Sequence, residues 1–232
     1  MVMSVADADP VATTTLRRFG VLGGMFDPIH LGHVQAANSV GQALGLEKVL
    51  LVPCGSPVHR QQPLASAPER CAMAALAIKG QPLLQLEKRE CQSPSPSYTI
   101  DTIIALQHQH AGVSWHLLIG VDAFVTFTSW KQWQQLLDLV NLVVMTRPGY
   151  RLDVSTLPPE LRTEWQQRHV DAGQLATIAR GAIAFIDVQS DDLSSTRVRE
   201  LVRTGGDLAA ILNPDVAVHI RTHGLYLPGD AD

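Results

Sequence analysis

Gly23-Gly24-Met25-Phe26-Asp27-Pro28-Ile29-His30-Leu31-Gly32-His33 is the stretch of this chain best equipped for chemistry. Paired glycines let backbone come close to a ligand, and the N–H groups that open a following helix favour anions. His30 and His33 are three residues apart, so both rings fit on one face of a helix's first turn. Gly32 between them leaves space above that helix for a bulky group. Two imidazoles there can donate hydrogen bonds to phosphate oxygens without a permanent charge. The plainer reading is a glycine-rich turn with two incidental histidines. The string has neither the G-x-G-x-x-G of a dinucleotide fold nor the GK[ST] of a Walker loop, so hydride chemistry loses its main support.

Three further stretches carry candidate chemistry. In Leu193-Ser194-Ser195-Thr196-Arg197-Val198-Arg199, a hydroxyl side chain can cap a helix whose free N–H groups point at phosphate. Arg199, one turn on, can add a charge-assisted contact. Ser97-Tyr98-Thr99 opens a helix whose first N–H groups suit a small carboxylate, with Asp101 favourably placed in its first turn. Thr128-Ser129-Trp130 begins another helix, and Trp130 can stack on a flat heteroaromatic ring, more strongly if that ring is cationic. A pyridinium carboxylate matches both features. A simple helix cap and a packing tryptophan are the bland alternatives.

Apolar runs provide the elements that position these groups. Arg18–Leu22, Val49–Val52, Leu83–Leu86, Trp115–Ile119, Leu142–Met145 and Ile183–Val188 read as about six buried strands. Helical spacing falls between them, at His33–Leu44, Pro68–Ile78, Thr99–Gln109 and Trp130–Leu139. The alternation predicts an α/β, Rossmann-like doubly wound parallel sheet with helices on both faces. Residues 1–17 read as a disordered leader and 18–232 as one domain. Within that domain, 149–180 reads as an insertion carrying a polar helix, and 195–223 as a small C-terminal region of two or three short helices.

Composition narrows the class. Of 232 residues, 46% are hydrophobic and 17% charged, enough for a buried core. A formal net charge of -4 argues against a diffuse basic surface for nucleic acid. No apolar stretch is long enough to span a membrane, and no secretory signal opens the chain. Cys54, Cys71 and Cys91 lack metal-ligand spacing, which points to a reducing, cytoplasmic compartment without a protein-ligated metal.

GGMFDPIHLGH resembles the HxGH signature of the nucleotidyltransferase superfamily, and LSSTRVR resembles its second, ISSTxxR element. The order SYT, IGVD, Trp130, Arg147-Pro148-Gly149 and then SSTRVR is similar to bacterial nicotinate mononucleotide adenylyltransferases, over about residues 18–227. The resemblance implies transfer of the adenylyl group of ATP to nicotinate mononucleotide, giving deamido-NAD and pyrophosphate in NAD biosynthesis. It implies catalytic roles for His30, His33 and Arg199. ATP would also meet Gly23, Gly24, Phe26, Gly120, Asp122, Ser194 and Thr196. Nicotinate mononucleotide would meet Gly24, Asp27, His59, Arg60, Tyr98, Thr99, Trp130 and Arg147. Mg²⁺ would be bound mainly through the ATP phosphates, and a homo-oligomer is left open.

Some positions depart from the family pattern. Met25 stands where a Thr or Ser is usual, and Val58 and Arg60 replace a proline and a lysine. Alternative readings are the same chemistry on nicotinamide mononucleotide or another phosphate acceptor, and a nucleotide-binding regulator without turnover. The neutral amide gains little from two facing N–H donors, and a regulator would not need both phosphate-directed clusters.

Overall fold

The structure is a computed structural model that describes residues 16–56, 62–188 and 193–228. Its sheet has six strands: β1 (Arg17–Gly24), β2 (Lys48–Pro53), β3 (Leu84–Leu86), β4 (Val113–Gly120), β5 (Asn141–Thr146) and β6 (Ile183–Asp187). All five pairings are parallel, in the order β3-β2-β1-β4-β5-β6. β1 extends one residue into the stretch expected to be a leader.

Side chains alternate along each strand, so every strand feeds two cores. Leu22, Leu51, Leu118, Val143 and Ala184 face one side, where they pack with residues of α1 (Leu31–Ala43), α2 (Ala67–Ala77), α8 (Ser195–Thr204) and α9 (Pro214–Thr222). Val21, Leu50, Leu117, Ile119 and Val144 face the other, against α4 (Thr99–Gln109) and α6 (Trp133–Leu139). Burial on both faces is why the strands read as unbroken apolar runs rather than as alternating ones.

One region differs from the sequence expectation. The helix expected from Trp130 begins only at Trp133. The chain first makes α5 (Val121–Val125) and a 3-10 turn (Phe127–Ser129), then Trp130 is extended and Gln132 takes a φ of 51°. A left-handed residue cannot continue a right-handed helix, so Trp130 stands in a loop. The 149–180 segment contains α7 (Pro159–Arg168) and two 3-10 turns. Leu157 and Leu161 are buried in one core and Leu175 in the other, so the segment is part of the packing on both sides. A four-residue helix, α3 (Arg89–Gln92), lies between β3 and α4.

The strand order places a switch point between β1 and β4, where successive crossovers leave in opposite directions. In open α/β sheets a ligand crevice lies there, beyond the carboxyl ends of the strands. β1 ends at Gly24 and β4 at Gly120, the positions of the two strand-end motifs. A Cβ placed on Gly23 or Gly120 would meet no atom within 4 Å, so both strand ends face open space.

Candidate active site

From β1 the chain turns through Phe26, whose φ of 49° is unusual for a bulky residue. The turn is held from behind by four residues distant in sequence, Leu64, Ala65, Arg70 and Tyr226. Asp27 is buried, and its carboxylate accepts from the N–H groups of Leu64 (2.8 Å) and Ala65 (3.0 Å) and from the Tyr226 hydroxyl (2.8 Å). The carboxylate is thus turned inward and holds the loop. Burial and the Asp27 charge raise the Tyr226 pKa strongly, so the phenol stays a donor. Arg70 is fully buried and donates to three carbonyls: Met25 (2.7 Å), Gly55 (2.8 Å) and Ala65 (3.1 Å). One rigid guanidinium thus ties the first loop to the loop after β2.

His30 is the N-cap residue of α1 and His33 its third helical residue. Their rings stack at 3.7 Å, and Phe26 meets His33 edge-on at 5.0 Å. The His30 N–H donates to His33 Nδ1 at 3.3 Å. Nδ1 is then the acceptor, which puts the proton of a neutral His33 ring on Nε2 and makes that atom a donor. Burial lowers the His30 pKa to about 4. Burial, and then the neighbouring His30, lower that of His33 to about 3. Both rings are neutral at pH 7. His30 Nδ1 is buried and makes no hydrogen bond among the described residues. The space over Gly32 is filled by the His30 ring itself, since a Cβ on Gly32 would lie 3.1 Å from His30 Nδ1.

The second motif closes on the first. Ser194 caps α8, its hydroxyl accepting from Arg197 N–H at 3.2 Å. Ser195 donates to the Pro28 carbonyl at 2.9 Å. Arg199 donates to the Asp27 carbonyl at 2.8 Å and to Thr196 Oγ1 at 3.2 Å, so three of its five N–H donors have no partner among the described residues. Residues 167 to 172 positions apart are thereby joined at one helix N-terminus. Thr196 is exposed there.

A cavity of about 420 Å³ opens between the ends of β1, β2 and β4; the first motif reaches it through Gly23, Gly24 and Met25, and His30, His33 and Arg199 do not line it. Gly23, Gly24, Met25 and Cys54 form one wall, and Tyr98, Thr99 and Trp130 another. Tyr98 is the N-cap residue of α4 but gives no side-chain cap, so the first amides of that 11-residue helix are left for another acceptor. Trp130 packs on Phe127 at 5.2 Å and reaches the cavity from its loop. Gly120 and Asp122 lie exposed at the end of β4 and the first turn of α5, and Arg147 is exposed just after β5. None of the three lines the cavity. His59 and Arg60, and the Val58 departure, lie outside the described residues.

Two cavity residues were not anticipated. Lys131 sits 4.4 Å above the Tyr98 ring and pairs with Asp101 at 2.9 Å. Glu90 accepts from Thr102 Oγ1 at 2.7 Å, and burial raises its pKa. Lys131 adjoins Trp130 in sequence and was open to notice. Glu90 gives no such signal, because only the fold brings α3 against α4.

Residues 21–201 match the family model described as cytidylyltransferase-like. A protein of Aeromonas hydrophila named "Probable nicotinate-nucleotide adenylyltransferase" is 42% identical over 209 residues, 90% of this chain and 97% of that protein. The chain belongs to the nicotinate-nucleotide adenylyltransferase family. A relative of the same name from Acidithiobacillus ferrooxidans is 38% identical over 89% of this chain and 94% of its own. The nicotinic acid mononucleotide adenylyltransferase of Plasmodium falciparum, solved in complex with NaAD, superposes with a TM-score of 0.68. That superposition covers 90% of this chain and 97% of the other at 15% identity, a likeness of fold. As a member of this family the chain is a nucleotidyltransferase, and its six-stranded parallel sheet is the Rossmann-like fold expected. Among the described residues, no helix is long and apolar enough to cross a membrane.

Proposed function

We propose that this nicotinate-nucleotide adenylyltransferase joins ATP and nicotinate mononucleotide along the crevice between β1 and β4. The observation that carries this reading is that one loop serves two anion-suited ends: Gly24 and Met25 line the cavity, and the same loop runs through Phe26 to His30 and His33. One end is the His30–His33 pair with α8, and the other is the uncapped start of α4 beside Trp130.

The 5′-phosphate oxygen of nicotinate mononucleotide attacks the α-phosphorus of ATP. A new O–P bond forms there while the bond to the bridging oxygen breaks, and pyrophosphate leaves with its electron pair. The nucleophile is already an anion, so no general base is required. This chain contributes positioning and placed donors. His33 Nε2–H, His30 and Arg199 face the phosphates, with Ser194 and Thr196 at the start of α8. Gly23 and Gly24 admit the nucleotides closely, Gly120 and Asp122 hold the adenosine, and Phe26 fixes His33. The amides at Tyr98 and Thr99 take the nicotinate carboxylate, and Trp130 takes the ring face. Arg147 is assigned to the acceptor side, and the family resemblance assigns His59 and Arg60, which lie outside the described residues, to the same substrate.

Mg²⁺ is assigned to the ATP phosphates, where it would neutralise their charge. Mg²⁺ commonly keeps several waters and binds through substrate phosphates, so this assignment requires no protein cage. Cys54, Cys71 and Cys91 form no disulfide, which is consistent with a reducing, cytoplasmic setting.

Pyrophosphate release from ATP and Mg²⁺, measured with nicotinate and nicotinamide mononucleotides at matched concentrations, tests the assignment. A strong preference for the acid is expected. Equal rates would discard the α4–Trp130 pocket as the carboxylate site, and no release with either would sink the acceptor.

A further inference from the structure

On the face of the sheet away from the cavity, α2 and α9 run antiparallel. Glu69, near the start of α2, meets the end of α9, while Lys79, just past the end of α2, pairs at 3.4 Å with Asp215 at the start of α9. At the first of these contacts three metal-capable side chains converge. His219 Nε2 lies 2.6 Å from Glu69 Oε2. His223, one turn beyond His219, stacks its ring on that of His219 at 4.0 Å. The three side chains each offer a ligand atom within 4.8 Å of the other two.

Two details separate this group from an ordinary ion pair. His223 Nδ1 lies 2.9 Å from the His219 carbonyl, and a carbonyl only accepts, so Nδ1 carries the proton and Nε2 keeps its lone pair. A histidine that donates its other ring nitrogen to a main-chain carbonyl is the usual arrangement behind a metal ligand. The burial is also graded: Glu69 and His219 are half-buried and His223 is exposed, which leaves a side open to water for a further ligand. Two imidazoles and one carboxylate select a borderline transition cation over Mg²⁺ or Ca²⁺.

We propose that Glu69, His219 and His223 bind a divalent transition-metal cation of the Zn²⁺ or Co²⁺ class, stapling α9 to α2. Small side-chain rotations bring the three atoms to about 2.1 Å from one centre, the Zn–N and Zn–O range. The staple has a structural consequence for the loop that carries His30. Glu69 adjoins Arg70, which holds the carbonyls of Met25 and Gly55. His223 lies three residues before Tyr226, which holds Asp27. A cation here therefore fixes both anchors of the loop from behind without touching the crevice.

The test uses the full chain without a histidine tag, stripped of metal. Titration with Co²⁺ followed by visible absorption, and with Zn²⁺ by calorimetry, should give one site per chain, and Zn²⁺ should raise the unfolding temperature. His223→Ala removes an exposed ligand and should fold as the parent does in chelator, yet lose Zn²⁺ affinity by at least about tenfold. Glu69→Gln should do the same, and His33→Ala should leave the Co²⁺ spectrum unchanged. Absence of binding, equal affinity in His223→Ala, or loss of the signal in His33→Ala would each overturn the site.

Discussion

The two ends of the crevice are built on opposite plans. At the phosphate end the groups that shape the loop already have protein partners. Asp27 accepts three hydrogen bonds, Arg70 donates three, and Arg199 and Ser195 lock α8 onto the loop. At the acceptor end the start of α4 is uncapped, Trp130 sits in a loop, and Lys131 is exposed. The first arrangement suits a group whose charge shifts during reaction, because donors fixed beforehand need no reorganisation. The second suits a group that must bind and leave. A stability defect and a binding defect should therefore arise from different residues, and each prediction below can break that division.

The largest effect belongs to Asp27. Asp27→Ala strands the Tyr226 hydroxyl and two main-chain N–H groups inside the protein, and should cost about 3–5 kcal/mol, as losing one partner of a buried charged network does. Denaturant unfolding would measure it. A loss below about 1 kcal/mol would mean that Asp27 is free for the acceptor after all. His33→Ala comes next and should be the reverse case. It should lower kcat by about two to three orders of magnitude, the usual effect of removing one oxyanion donor, with little change in unfolding. Unchanged kcat would remove His33 from the chemistry.

A smaller, pH-dependent effect follows from burial at the same end. His30 is held to a pKa of about 4 and His33 to about 3, and burial also holds His116, in β4, to about 4. Against an ordinary value of about 6.5, each binds fewer protons folded than unfolded. Their contribution to stability is fully present above pH 6.5 and is lost as pH falls from there toward 4. Unfolding free energy should thus drop between pH 6.5 and 4.5, and less steeply in His33→Ala. Between pH 6 and 8, kcat should show no step from either active-site histidine; a step near 6.5 would mean that one of them charges in the working enzyme.

How far the residues alone foretold this structure depends on the range of the interaction. The six strands were legible because burial on both faces leaves unbroken apolar runs. His30 and His33 were legible because their meeting depends on helix geometry over a single turn. Arg70 was not: it stands in an alanine-rich helix, and its partners Met25 and Gly55 lie 45 and 15 residues away. Gly32 read as room for a ligand, whereas the three-dimensional arrangement fills that room with the His30 ring. Trp130 read as helical because the apolar spacing around it fits a helix, and a single left-handed residue, Gln132, overrode that pattern. Local periodicity carries the first kind of information and cannot carry the second.

The smallest effect should fall at the acceptor end and should leave the fold alone. Trp130 is half-buried in its loop and rests on Phe127, which is itself fully buried, so removing the indole opens no core cavity. What is lost is one face of the pocket. Trp130→Ala should raise KM for nicotinate mononucleotide by about tenfold, near the upper end of about 0.5–1.5 kcal/mol for an aromatic pair. KM for ATP, kcat and the unfolding midpoint should scarcely move. Trp130→Phe keeps a stacking face and should recover most of the loss, which a merely packing role for the indole would not predict. If Trp130→Ala instead lowered kcat and stability together, the acceptor end would be as preorganised as the phosphate end, and the division between them would fail.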